Sequence, residues 1–216
     1  MSSVRTRKNA SLQRARKKPR EPYDVVLIVC EGAKTEPTYF TELKKELRLS
    51  SANIRICGRE CGSAPISVVD YAIEEFNKSR DYDRIYCIFD KDRHETYEAA
   101  LEKLSRTKLR GGAKLFAITS VPCFEYWLLL HFSEMARPYG ASASFSPCEE
   151  LLRDLKVHIS DYEKGNDVFG ITYPLIDQAI RRAEIRERNS TTDRNDNPST
   201  KVHHLITYLQ EIKGIS

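Results

Sequence analysis

The sequence has no long apolar run. Its longest candidate, Trp127 to Phe132, falls far short of the ~18 residues that a membrane helix needs. The N-terminus is basic but lacks the apolar stretch of a signal peptide, so the expectation is a cytoplasmic protein with no membrane partner. No Walker loop is present, which argues against ATP hydrolysis by the chain itself. The six cysteines have no framework spacing, and Cys57 and Cys61 lack a second ligand pair at zinc-site spacing. Cys30, Cys87 and Cys123 sit in or beside apolar runs, where a free thiol behaves as a small hydrophobe. There is no internal repeat.

Acids are absent from the first twenty positions, which hold eight basic residues, Arg14, Arg16, Lys17 and Lys18 among them. The whole chain carries +4, so the body beyond this stretch carries −4. Residues 1–22 lack apolar periodicity and read as a disordered basic arm. Such arms contact nucleic-acid phosphates or remain solvated tails.

Four apolar runs then alternate with amphipathic stretches. Val25–Cys30 (VVLIVC), Asn53–Cys57 (NIRIC), Arg84–Phe89 (RIYCIF) and Lys114–Ser120 (KLFAITS) read as strands. Helices are expected between them. The first carries Phe40, Leu43 and Leu47 behind Pro37; the second covers Pro65–Arg80; the third runs from about Glu95 to a stop at Gly111-Gly112. This β-α-β-α-β-α-β order predicts an α/β fold with a mostly parallel sheet covered by helices on both faces. Such sheets bind ligands at the C-terminal ends of their strands. An α/β domain over 23–133 and a helical extension over 134–216 follow. Further helices are expected over 124–132, after a Ser146/Glu149 capping box, over 174–188 and over 198–213, with a mobile polar loop at 189–197.

Two of the strands end in acids: Glu31 after the first, Asp90 and Asp92 after the third. Alternate carboxylates leaving a strand can face one ion, and Mg²⁺ takes a few carboxylates together with waters and phosphate oxygens. Glu125, after the fourth strand, can join from the adjacent strand end, although a first-turn acid is also ordinary. Gly32 and Lys34 can admit and neutralise a phosphate or simply form a helix entry turn. His94 is a candidate for phosphate contact or proton transfer. Asn197-Pro198 reads as an N-cap and first turn, with Ser199 and Lys201 as candidate phosphate contacts. His203 and His204 would point about 100° apart on a helix, so they are not expected to share an ion.

The runs IVCEGAKTEPTYF, CIFDKDRH, SVPCFEYWLLLHF and NPSTKVHHLI, in that order, resemble the RloB-like family of bacterial restriction and abortive-infection defence loci. That family is grouped with the Toprim-related proteins: primases, topoisomerases and overcoming-lysogenisation-defect nucleases. The resemblance implies a Toprim-like core. It implies Glu31 as the Toprim glutamate, Asp90 and Asp92 as its DxD pair, and Mg²⁺ or Mn²⁺ as cofactor. It also implies hydrolysis of DNA or RNA as an antiviral effector, and an ABC- or AAA-type ATPase partner. The arginines Arg181, Arg182, Arg186 and Arg188 are the expected docking face for that partner. A non-catalytic nucleic-acid-binding subunit and a DxD-type phosphatase are the rival readings. For the phosphatase, His94 stands where Thr or Val is usual. The sequence leaves open the choice of nucleic acid and whether the chain forms a homo-oligomer.

Overall fold

A strand that is apolar on both faces needs cover on both. A computed structural model, which describes residues 24–51, 53–79, 81–92, 94–140 and 145–213, shows how that cover is supplied. The arm with Arg14, Arg16, Lys17 and Lys18 lies outside the described residues. Strand β1 (Val26–Cys30) is buried at every position. Its side chains divide by parity: Val26, Ile28 and Cys30 enter one apolar cluster, Leu27 and Val29 the other. Strands β2 (Ile54–Cys57), β3 (Arg84–Asp90) and β4 (Lys114–Val121) run parallel to it in the order β2-β1-β3-β4.

Helices α2 (Pro65–Ser79) and α3 (Tyr97–Arg106) cover one face through Val68, Val69, Phe76, Ala100 and Leu104. Helix α1 (Thr35–Glu46) covers the other with Tyr39, Phe40 and Leu43. The same face receives α4 (Glu125–Leu129) and the C-terminal extension with α5 (Pro147–His158), α6 (Phe169–Thr172), α7 (Ile176–Asp193) and α8 (Val202–Lys213). The capping box at α5 is present: the Ser146 hydroxyl accepts the Glu149 N–H, and the Glu149 carboxylate accepts the Ser146 N–H. No helix among the described residues is long and apolar enough to cross a membrane.

Several local expectations need correction. Helix α3 stops at Arg106, because Thr107 is already extended; Gly111 and Gly112 instead shape a separate short turn at φ 74° and 83°. Helix α4 is confined to 125–129. Helix α7 continues through residue 193, so half of the polar 189–197 stretch is helical.

The largest difference concerns residues 197–201. The Asn197–Pro198 peptide is cis, and Ser199–Thr200 forms a fifth strand, β5, antiparallel to β4. Asn197 caps no helix. Its side-chain amide pairs with both backbone groups of Tyr139, at 3.1 and 2.7 Å. The Thr200 hydroxyl bonds Ser120 at 3.0 Å and accepts the Val202 N–H that opens α8. The extension is therefore woven into the sheet as well as packed on it.

Candidate active site

Because β1, β3 and β4 are parallel neighbours, their C-terminal ends deliver side chains to one edge. Glu31 leaves β1 with its N–H on the Ile88 carbonyl of β3. Its carboxylate accepts the Asp90 N–H at 2.9 Å and meets His94 Nε2 at 2.9 Å. Asp90 ends β3, and its Oδ2 accepts the Phe124 N–H from the chain leaving β4. The Asp92 N–H is held by the Pro122 carbonyl. Glu31, Asp90, Asp92 and Glu125 line a single cleft of about 630 Å³, together with Gly32, Lys34 and His94. Among the described residues these carboxylates are not gathered into a ready-made three-ligand cage.

Two further groups complete the cleft. Glu36, in the first turn of α1, is buried at 6% exposure. Sequence reasoning passed over it because an acid there is ordinary helix capping. Its carboxylate fills the space beside Gly32 that a Cβ would need. Gly32 thus makes room for an acid of this same chain. Lys164 comes from the loop before α6, with Nζ 3.6 Å from Glu125. That loop is tied down where the Gly165 N–H donates to Thr35 Oγ1, and Gly165 packs against the Lys34 stem. Glu125 itself is only 2% exposed and accepts the Tyr162 hydroxyl at 3.2 Å. Nothing in the sequence pattern placed Tyr162 or Lys164 here, since both arrive from a loop about forty residues away.

Burial, reinforced by like charge, disfavours ionisation of Glu31, Asp90 and Glu36. Burial above all pushes Glu31 up to about 7, with Glu36 and Asp92 adding to it while the Asp90 N–H and Lys164 oppose. Burial also lifts Asp90 well above the carboxylate range, reinforced by Glu36, Glu125 and Glu31. Glu36 rises for the same reason, with Glu125 contributing. Asp90 Oδ1 and Asp92 Oδ1 are buried with no protein partner. Buried acceptors are normally satisfied. Two orphaned carboxylate oxygens beside mutually repelling acids are the donor set that a hard divalent cation completes.

Among the described residues, two clusters are able to chelate a metal: Cys123, Glu125 and Cys148, and Glu187, His203 and His204. In the first, Cys123 and Cys148 are joined as a disulfide, so their sulfurs are not thiolate ligands in this state. That corrects the expectation of a free Cys123. Its partner lies on α5, 25 residues on, where no spacing rule applies. In the second, the adjacent histidines do converge, against the helical-wheel expectation. Ser199 lies in β5, and Lys201 lines a different groove, with His203 and His204. Of the four arginines expected to form a docking face, Arg186 is buried on the carbonyls of Asn195, Asn197 and Pro198. Arg182 is turned onto the carbonyls of Leu130 and His131. Arg181 and Arg188 are exposed.

A family model described as RloB-like protein matches residues 26–209. The chain belongs to that family. The match spans the acid cleft, the covering loop with Lys164 and strand β5 of this RloB-like chain, and reaches into α8. No curated protein and no solved structure matches it.

Proposed function

We propose that this RloB-like protein is a Toprim-type, metal-dependent nuclease that hydrolyses phosphodiesters of DNA or RNA as the effector of a bacterial anti-phage defence system. The observation that carries the reading is the pair of orphaned oxygens on Asp90 and Asp92 within a cleft of mutually repelling acids. Asp90, Asp92 and Glu31 would hold Mg²⁺ or Mn²⁺, with Glu125 and Glu36 behind them. A cation there polarises a phosphodiester and acidifies a bound water. The chain's own groups do the rest. Burial lifts Glu31 to about 7 in the metal-free cleft, and its Oε1 meets His94 Nε2 at 2.9 Å, a pair that can relay a proton beside the reacting water. Lys34 and Lys164 on the cleft wall offset phosphate charge. The basic arm adds salt-sensitive, sequence-independent attraction to the backbone.

The test uses the full chain with mixed DNA and RNA pools and Mg²⁺, Mn²⁺ or EDTA, alongside calorimetric Mn²⁺ binding. Cleavage should require the metal. Asp90→Asn and Asp92→Asn should each reduce it by more than about 100-fold and weaken Mn²⁺ binding. Mn²⁺ binding with no cleavage of any pool would replace the nuclease by a nucleic-acid-binding subunit.

The resemblance to defence effectors also supports an ABC- or AAA-type ATPase partner. With Arg182 and Arg186 occupied internally, its docking would fall to the exposed Arg181 and Arg188. Reversing both to Glu should abolish co-purification with the neighbouring ATPase and leave cleavage intact. Unchanged co-purification removes that surface.

A further inference from the structure

We propose that Glu187, His203 and His204 form a binding site for a borderline transition-metal dication, Zn²⁺ fitting best, separate from the acid cleft and linking α7 to α8. His203 Nε2 lies 3.2 Å and His204 Nε2 2.8 Å from the same Glu187 Oε2. Three donors bound at ~2.1 Å to one tetrahedral Zn²⁺ lie about 3.3 Å from one another. The spacing that holds these groups by hydrogen bonds is thus close to the spacing a shared ion needs, and closure takes only small side-chain shifts. The two rings lie close together but tilted, centroids 4.1 Å apart and 34° between planes, and both meet the same Glu187 oxygen. Their Nε2 atoms consequently turn the same way even though the residues are sequence neighbours.

His203 is a buried imidazole whose Nε2 faces the cluster. It is 2% exposed, and its Nδ1 is buried with no partner. Its Nε2 shares a single Glu187 carboxylate oxygen with His204. One carboxylate oxygen has two lone pairs and accepts from both rings; an ion coordinated by both Nε2 atoms and this oxygen would replace those two hydrogen bonds with three metal–ligand bonds. The donor chemistry sets the ion class. Two imidazoles and one carboxylate suit Zn²⁺ and its first-row neighbours, while the all-oxygen cleft suits Mg²⁺. Three protein ligands leave a fourth position facing the groove that Lys201 also lines. A bound ion would close the segment from Glu187 to His203 into a loop around β5, tying its two flanking helices together.

The experiment titrates Zn²⁺ alone into the full chain, with millimolar Mg²⁺ present to occupy oxygen-only sites, following heat and melting temperature. Glu187→Gln and His204→Asn are surface changes that should keep the fold; Asp90→Asn reports on the acid cleft. One equivalent of Zn²⁺ should bind and raise the melting temperature. Glu187→Gln and His204→Asn should each weaken binding by at least about 100-fold, and Asp90→Asn should leave it intact. With Co²⁺ in place of Zn²⁺, the visible absorption of a four-coordinate site should appear in the native chain and vanish in His204→Asn. Zinc binding lost in Asp90→Asn but kept in His204→Asn would assign the ion to the acid cleft and overturn the proposal. So would the absence of stoichiometric binding.

Discussion

Asp90 and Arg186 are both buried charge-bearing side chains, and their surroundings are opposite. Around Arg186 the guanidinium donates to three carbonyls, those of Asn195, Asn197 and Pro198. Around Asp90 the neighbours are more acids, one carboxylate oxygen has no partner, and burial drives the group toward its neutral form. A buried charge with its partners supplied by the chain is structure. A buried charge whose partners are missing marks the place where something else binds.

That contrast can be broken from either side. The larger effect belongs to Arg186→Ala, which strands three carbonyls and frees β5. It should cost about 2–4 kcal/mol, seen as a fall in melting temperature of roughly 10 °C. A stability near that of the native chain would mean that water replaces the guanidinium. The smaller effect has the other sign. In metal-free protein Asp90→Asn should hold or raise the melting temperature, since it removes repulsion at no cost in partners.

The same repulsion predicts a pH dependence. The folded pKa of Glu31, about 7, lies above its ordinary 4.5, so the folded state binds the proton more tightly than the unfolded chain. Stability from this group is fully present below about 4.5 and lost as pH rises through 7. Asp90 acts in the same direction. Metal-free protein should therefore melt higher at pH 5.5 than at pH 8, and saturating Mg²⁺ should flatten the difference. A metal-free melting temperature that rises over that interval would contradict the electrostatic account of the cleft.

What the sequence made legible follows from the same physics. Strands β1 and β3 announce themselves because both their faces are buried, so each reads as an apolar run, and the acids that follow them stand out. Glu36 did not stand out, because its burial depends on Gly32 and on the approach of Glu125. Strand β5 was read as a helix start. Asn, Pro, Ser and Thr serve caps and tight turns alike, and only the contact with β4 and the Arg186 clamp separates the two. The convergence of His203 and His204 was equally hidden, since a helical wheel fixes where side chains leave the backbone but not where their rotamers end.

Strand β5 closes the sheet order with residues from near the end of the chain, while the acids of β1 and β3 come from its first half. Translation delivers these parts in sequence, at about 5–20 residues per second. The four parallel strands emerge first, then Lys164, and only afterwards the segment that lies against β4. For several seconds of synthesis the nascent chain carries its carboxylates without the lysine beside Glu125 and without the last strand. The covered cleft is thus a late product of translation, completed only after the loop with Lys164 has emerged.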